Sequence, residues 1–239
     1  MIRSIKTIMR QDREPYRVPR RVQDVIPIQC VWPDGIFKVG IKFSKTYRFT
    51  DINYKVASRN DKETMFLAYS ELLNSLDCAA TTKLTICNRR QSQADFEQSV
   101  LMPMQEDGLD KYRREYNQML MDKATGANGI TQEKYVTITV YKRDIEDARA
   151  YFARIGADLT ARFAALGSKC VELDATDRLR ILHDFYRAGD EGNFHFDMAD
   201  MARKGHDFKD YICPDGIETH SDYLKLGDRY CRVLFLKDY

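Results

Sequence analysis

Histidine beside aspartate recurs in one part of this 239-residue chain. His183-Asp184, His195-Phe196-Asp197 and His206-Asp207 fall between residues 183 and 207, with Asp200 and His220 close by. Imidazole and carboxylate together can ligate a divalent cation and activate a bound water, so a metal-dependent hydrolase is one reading of segment 183–220. The competing reading makes each histidine a helix-end group, a partner of its neighbouring carboxylate or a solvated side chain. His183 falls in an expected helix, where successive side chains point about 100° apart, so His183 and Asp184 are not expected to converge on one ion. Asp107/Asp110 and Glu146/Asp147 are paired carboxylates of the kind used in acid–base work, but they stand at helix starts, where the helix dipole accounts for them. Arg89-Arg90 and Lys111/Arg113/Arg114 could touch DNA. They lack the interleaved aromatic residues of a single-strand binder, so a solvated face also accounts for them.

Several short motifs are absent. No GxxxxGK[ST] stretch can cradle nucleotide phosphates, and GxGxxG, GxSxG and HExxH do not occur. The six cysteines (Cys30, Cys78, Cys87, Cys170, Cys213, Cys231) form no CxxC pair. Several lie in apolar runs, where cysteine acts as a small core residue, and reduced thiols are expected in a cytosolic chain. No catalytic residue, metal ligand or cofactor-binding residue is assigned from these patterns.

The elements that would position any site begin with Ile36–Leu76. Phe37, Val39, Ile41, Phe43, Tyr47 and Phe49 alternate with polar or small residues, the period of a long strand. Lys45 breaks the phase, which places a bend near Ser44-Lys45. Asn60 and Glu63 then read as a capping box for a helix carrying Met65, Phe66, Tyr69, Leu72, Leu73 and Leu76. Upstream, Val25–Val31 reads as a strand joined through the turn Trp32-Pro33-Asp34-Gly35. Downstream come a strand at Thr82–Asn88 with Leu84 and Ile86 on one face, and a helix at Leu109–Ala124 with a stripe of Tyr112, Tyr116, Met119 and Leu120. A strand at Lys134–Tyr141 follows. Asp144 caps the longest helix, to Leu166, Lys169–Leu173 is a strand, and Asp174 caps a helix ended by Gly189. Arg229–Leu236 reads as a final apolar strand.

Without its helical insertion, the order from Ile36 to Leu173 is a split βαβ repeat, the ferredoxin-like pattern. The expected class is α+β: two layers, a mostly antiparallel sheet with helices on one face, a helical insertion and a C-terminal extension. Two regions are expected, a basic N-terminal arm over 1–21 and a single α+β domain over 22–239.

The arm holds Arg3, Lys6, Arg10, Arg13, Arg17, Arg20 and Arg21 against Asp12 and Glu14, a net +5, which leaves −3 for the remainder of a chain of net +2. A mobile solvated tail is one reading. The other is an arm whose Arg10, Arg13, Arg17, Arg20 and Arg21 meet an anionic lipid surface or an acidic partner, each basic residue near such a membrane contributing about 1 kcal/mol. Hydrophobic residues make up 44% of the chain and charged residues 31%, enough for both a core and a solvated surface. No apolar run approaches the ~20 residues that span a bilayer, and no secretory signal is evident, so a cytosolic protein is expected. The chain stops at Tyr239 directly after Val233-Leu-Phe-Leu236, which suggests a piece of a longer protein.

Four phrases resemble the opening of conjugative-transfer ATPases: Met1-Ile-Arg-Ser-Ile-Lys6, Gly40-Ile-Lys-Phe-Ser-Lys-Thr-Tyr-Arg-Phe-Thr-Asp-Ile-Asn-Tyr54, Tyr112-Arg-Arg-Glu-Tyr-Asn-Gln-Met119 and Phe194-His-Phe-Asp-Met-Ala-Asp-Met-Ala-Arg-Lys-Gly-His-Asp-Phe208. They look like the TraE-like, VirB-type motors of type IV secretion carried by mobile elements of Gram-positive bacteria. The resemblance covers only that family's N-terminal region. It implies a non-catalytic docking domain, cytoplasmic and peripheral to the cell membrane. Its expected partners are other secretion subunits at the inner membrane and its own C-terminal ATPase domain. ATP and Mg are implied only for that motor domain, beyond Tyr239.

Overall fold

The computed structural model describes residues 19–52, 54–90, 100–126, 130–201, 203 and 206–236. The chain divides into two compact units: one spans Ile28–Ile212, and the other takes in Met1–Pro27 and Cys213–Tyr239, of which 19–27 and 213–236 are described. Residues 22–27 and 213–236, read from sequence as part of one domain with the rest, belong to this second unit.

The larger unit opens with β1 (Cys30–Val31), the expected Trp32–Gly35 turn, β2 (Phe37–Val39) and β3 (Lys42–Phe49). Gly35, at φ +75°, lets the Trp32 carbonyl accept from its N–H at 2.9 Å. A Cβ there would also meet the Leu173 carbonyl oxygen at 2.0 Å, so glycine is required twice over. The stretch read as one strand from Phe37 is a hairpin. Gly40, at φ +59°, and Ile41, 69% exposed, form its two-residue turn, glycine taking the first turn position as in type II′ hairpins. The turn preserves sequence alternation while exchanging faces: Phe37 stands opposite Ser44 and Lys38 opposite Phe43. No bend occurs at Ser44-Lys45, where β3 pairs without interruption with β5 (Ile130–Tyr141).

Between these strands lie α2 (Arg59–Asn74), β4 (Thr81–Arg90) and α3 (Asp110–Gly126), α1 being Val22–Val25 of the other unit. Ser58, rather than Asn60, caps α2, its hydroxyl accepting from the Asp61 N–H at 3.2 Å. One residue type serves as well as the other at this position, so composition left the choice open. After β5 come α4 (Ile145–Ala165), β6 (Cys170–Glu172), α5 (Ala175–Tyr186) and the short α6 (Met198–Met201). Asp144 and Asp174 cap α4 and α5 as expected, accepting from Asp147 N–H at 2.9 Å and Asp177 N–H at 2.8 Å.

All strand pairs are antiparallel, and four strands lie in the order β6-β3-β5-β4. β3 and β4 thus flank β5, with α2 connecting them, and β5 and β6 flank β3, with α4 connecting them. That is the split βαβ arrangement, and α3 is the helical insertion between β4 and β5. β2 pairs β3 only at 42–44 and β6 only at 47–49, so the two share one edge of β3.

Phe43, Tyr47, Val136, Ile138 and Val140 form the sheet's core face, against Ala148, Phe152, Ile155, Leu159 and Phe163 of α4 and Leu72 of α2. Burying a side chain such as Phe152 or Leu159 contributes roughly 1.5–3 kcal/mol. Phe49 stacks on Phe163 at 4.9 Å between ring centroids. The helices are expected on one face. α2 and α4 keep to it, whereas α5 faces the other side through Arg178, which reaches Ser44, and Asp184, which pairs with Arg89. A polar sheet face can be covered in this way because charged donors meet backbone carbonyls and carboxylates there.

In the second unit, β7 (Ile217–Thr219), β8 (Leu224–Leu226) and β9 (Arg229–Cys231) form a separate antiparallel sheet. Two sequence expectations are corrected here. Val25–Val31 is not a continuous strand, since Val22–Val25 is helical and only Cys30–Val31 is extended in a ladder. The final strand ends at Cys231, opposite Leu224 where β8 begins, and Val233–Leu236 stay unpaired and exposed. An apolar run needs a neighbouring strand to become part of a sheet, and β8 supplies none beyond that point.

Candidate interaction surface

Of the basic residues read as a contact site, Arg10, Arg13 and Arg17 lie outside the described residues, and Arg20 and Arg21 are exposed. The Asp24 carboxylate accepts from the Arg21 backbone N–H at 3.2 Å, so the guanidinium of Arg21 is not what starts α1.

The histidines differ in their surroundings. His195 and His206 are exposed, and His220 belongs to the smaller unit, stacked on Tyr223 at 4.3 Å. His183 is 3% exposed and packs on Phe194. Its Nδ1 lies 3.5 Å from Asp184 Oδ1, yet the two are not aligned for a hydrogen bond, and both atoms are buried without one. Asp184 turns its other oxygen to Arg89 Nε at 2.9 Å. Burial raises the Asp184 pKa, and the Arg89 charge opposes that rise. Among the described residues, no three of His, Cys, Asp and Glu converge where a metal ion could be held.

Arg89 and Arg113 are engaged as well, while Lys111 and Arg114 are exposed. Arg89 lies between Asp184 and Glu133, while Arg113 binds Asp107 and Asp110. The Asp110 carboxylate also accepts from the backbone N–H groups of Gln105 and Glu106 at 3.1 and 3.0 Å, closing the start of α3. The Arg113 hydrogen bond holds the Asp107 carboxyl down to about 2.

An open groove of about 710 Å³ runs along α4 beside the gap between β2 and β6. Lys45, only 8% exposed, pairs with Glu172 at its floor, and Arg149 pairs with Asp34 at its side. The lysine that breaks the sequence pattern therefore keeps its place on the core face, with its charge matched. Gly156 makes room for the pair, because a Cβ there would sit 2.2 Å from Glu172 Oε1.

The largest departure from expectation lies on β4 and α3. Leu84 and Ile86 share the core-side face with Val136 and Lys134, as the alternation implies. They are nevertheless 52% and 54% exposed. Of the α3 stripe, Tyr112, Tyr116 and Met119 are exposed too and Leu120 is half-buried, and Phe66 and Leu67 on α2 are exposed. Among the described residues β4 pairs only with β5, so its other edge is open over ten residues. Long open edges with apolar side chains are the parts of a sheet that recruit another chain. Periodicity locates such a strand but does not say whether its apolar face is covered.

No protein-family model matches this chain, and no curated protein does. Fold and surface together define an α+β domain with an open, partly apolar sheet edge.

Proposed function

We infer that this chain is a non-catalytic docking domain of a conjugation ATPase of the TraE-like, VirB type, holding a motor to the membrane channel through which DNA is transferred. The observation that carries the reading is the open β4 edge with Leu84 and Ile86 exposed beside it. A domain whose work is attachment needs surface of this kind, and the four phrases resembling the family's opening supply the identity of the machine. Other secretion subunits at the inner membrane are the partners, along with the ATPase domain that follows in the family, which alone would bind ATP and Mg. The arm around Arg10–Arg21 approaches anionic lipid, so the protein works in the cytoplasm against the membrane. Among the described residues no helix is long and apolar enough to cross a membrane, and attachment through the arm and the edge does not need one.

The test is co-sedimentation of the purified chain with inverted membrane vesicles from cells with and without the element's channel genes, run beside an ATPase assay. Channel-dependent sedimentation without ATP turnover is expected. Equal sedimentation with both vesicle types, or ATP turnover by this chain alone, would overturn the reading.

A further inference from the structure

The ladder determines which backbone groups of β4 point away from β5. On the β6 side of β3, the Thr46 carbonyl accepts from the Leu173 N–H at 3.1 Å and the Thr50 N–H donates to the Lys169 carbonyl at 3.0 Å. Successive residues of an antiparallel strand address opposite neighbours in alternation. Lys45 and Tyr47 therefore bond toward β5, where they face Ile138 and Val136. Thr137 and Tyr135 then bond the other way, toward Lys83 and Thr85. This leaves the N–H and C=O groups of Thr82, Leu84, Ile86 and Asn88 directed away from the sheet. Their side chains occupy the face on which Leu84 and Ile86 are exposed.

Charge narrows the choice of occupant. β4 contains Lys83, Arg89 and Arg90 and no acidic residue. Arg89 is held by Asp184, whereas Lys83 is exposed on the opposite face with no ion pair among the described residues. A second copy is a poor fit, because a second β4 carries no carboxylate of its own to set against Lys83.

We propose that the β4 edge captures an extended acidic segment of a partner protein by strand addition, its apolar side chains covering Leu84 and Ile86 and its carboxylates turned toward Lys83. Main-chain bonds would come from Thr82, Leu84, Ile86 and Asn88, and selectivity from the alternating side chains. The proposal rests on the docking reading and names the chemistry of the docked segment.

The test uses the full chain and two labelled peptides as long as β4, one alternating valine with glutamate and one alternating valine with lysine, followed by fluorescence anisotropy at low salt. The glutamate peptide is expected to bind about tenfold tighter or better, and Lys83→Glu to erase that preference. Ile86→Pro removes one outward N–H and no bond to β5, so the strand is retained. It is expected to weaken binding by about tenfold, against a few-fold for Ile86→Ala, which keeps the N–H. Should Ile86→Pro fail to fold, Lys83→Glu alone carries the test. Equal affinity for both peptides, binding unchanged by Lys83→Glu, self-association lost on Ile86→Pro, or Lys83-dependent capture of single-stranded DNA in place of the peptide would each overturn the proposal. The vesicle assay separates the two levels. Channel-dependent binding that survives both substitutions leaves the docking reading standing and removes this one, whereas absence of such binding by the unmodified chain removes the docking reading itself.

Discussion

The guanidinium of Arg178 donates to the Ser44 carbonyl oxygen at 2.7 Å and to the Ser44 hydroxyl at 3.1 Å. It also donates to the Gly35 carbonyl at 2.7 Å and lies 3.8 Å from the centre of the Phe37 ring. Ser44 is where β2 leaves β3, and β6 joins only at Tyr47. Arg178 therefore fills the gap along this edge, taking the place of a neighbouring strand. Burial depresses its pKa to about 9, and none of its hydrogen bonds goes to a carboxylate.

Removing that side chain takes a donor from the buried Gly35 carbonyl and the half-buried Ser44 carbonyl and leaves a void beside Phe37. Arg178→Ala is expected to cost about 3 kcal/mol or more, and Ser44→Ala about 1 kcal/mol, since only one hydrogen bond is lost. Urea denaturation with an unchanged slope checks both values. A cost for Arg178→Ala no greater than for Ser44→Ala would show that the staple is dispensable.

Gly156 is expected to tolerate no side chain while Glu172 keeps its place. Gly156→Ala should destabilise by about 1–3 kcal/mol through displacement of Glu172 from Lys45. Combined with Glu172→Ala, the cost should be clearly less than the sum of the singles, because the displaced carboxylate is then already gone. Strict additivity in a double-mutant cycle would mean that the two residues do not meet.

The start of α3 should be sensitive to acid. Asp107 and Asp110 are both held below the ordinary carboxylate range, the first by the Arg113 hydrogen bond and the second by the Gln105 backbone hydrogen bond. A depressed pKa means that their support is complete above about pH 4 and is lost as pH falls toward about 2. Amide exchange in residues 110–116 should rise over that window, and Arg113→Gln should flatten the profile. An unchanged profile in Arg113→Gln would count against the assignment.

Charge reversal at Arg13, Arg17, Arg20 and Arg21 should weaken binding to anionic vesicles by several kcal/mol in total at low salt, at about 1 kcal/mol per residue removed. Thermal unfolding should barely move, as Arg20 and Arg21 are exposed. Vesicle binding that is unaffected by the reversal, or by added salt, would assign the arm no part in membrane contact.

Much of the larger unit was legible in its residues. The caps at Asp144 and Asp174 were readable because a short acceptor side chain must satisfy free N–H groups at a helix start. The buried stripe of α4 was readable because apolar residues recur with the helical period. The Gly40 turn was hidden, since a two-residue hairpin leaves the alternation on either side intact. Lys45 looked like a fault in the pattern because its partner, Glu172, is 127 residues away. The stretch Val25–Val31, of which only Cys30–Val31 is paired, and the unpaired Val233–Leu236 show the reverse case, where composition favoured a strand and no ladder was there to accept one.

Local spacing and residue chemistry were enough for the helices begun by Asp144 and Asp174, the order that makes a split βαβ repeat, and the absence of the short phosphate-binding and zinc-protease motifs. Long-range packing set what local patterns could not: α5 serves the face opposite α2 and α4, His183 is buried while His195 and His206 are exposed, and Leu84 and Ile86 border an edge left open among the described residues. Those outcomes depend on which distant segments come together, and on which surfaces are left uncovered among the described residues.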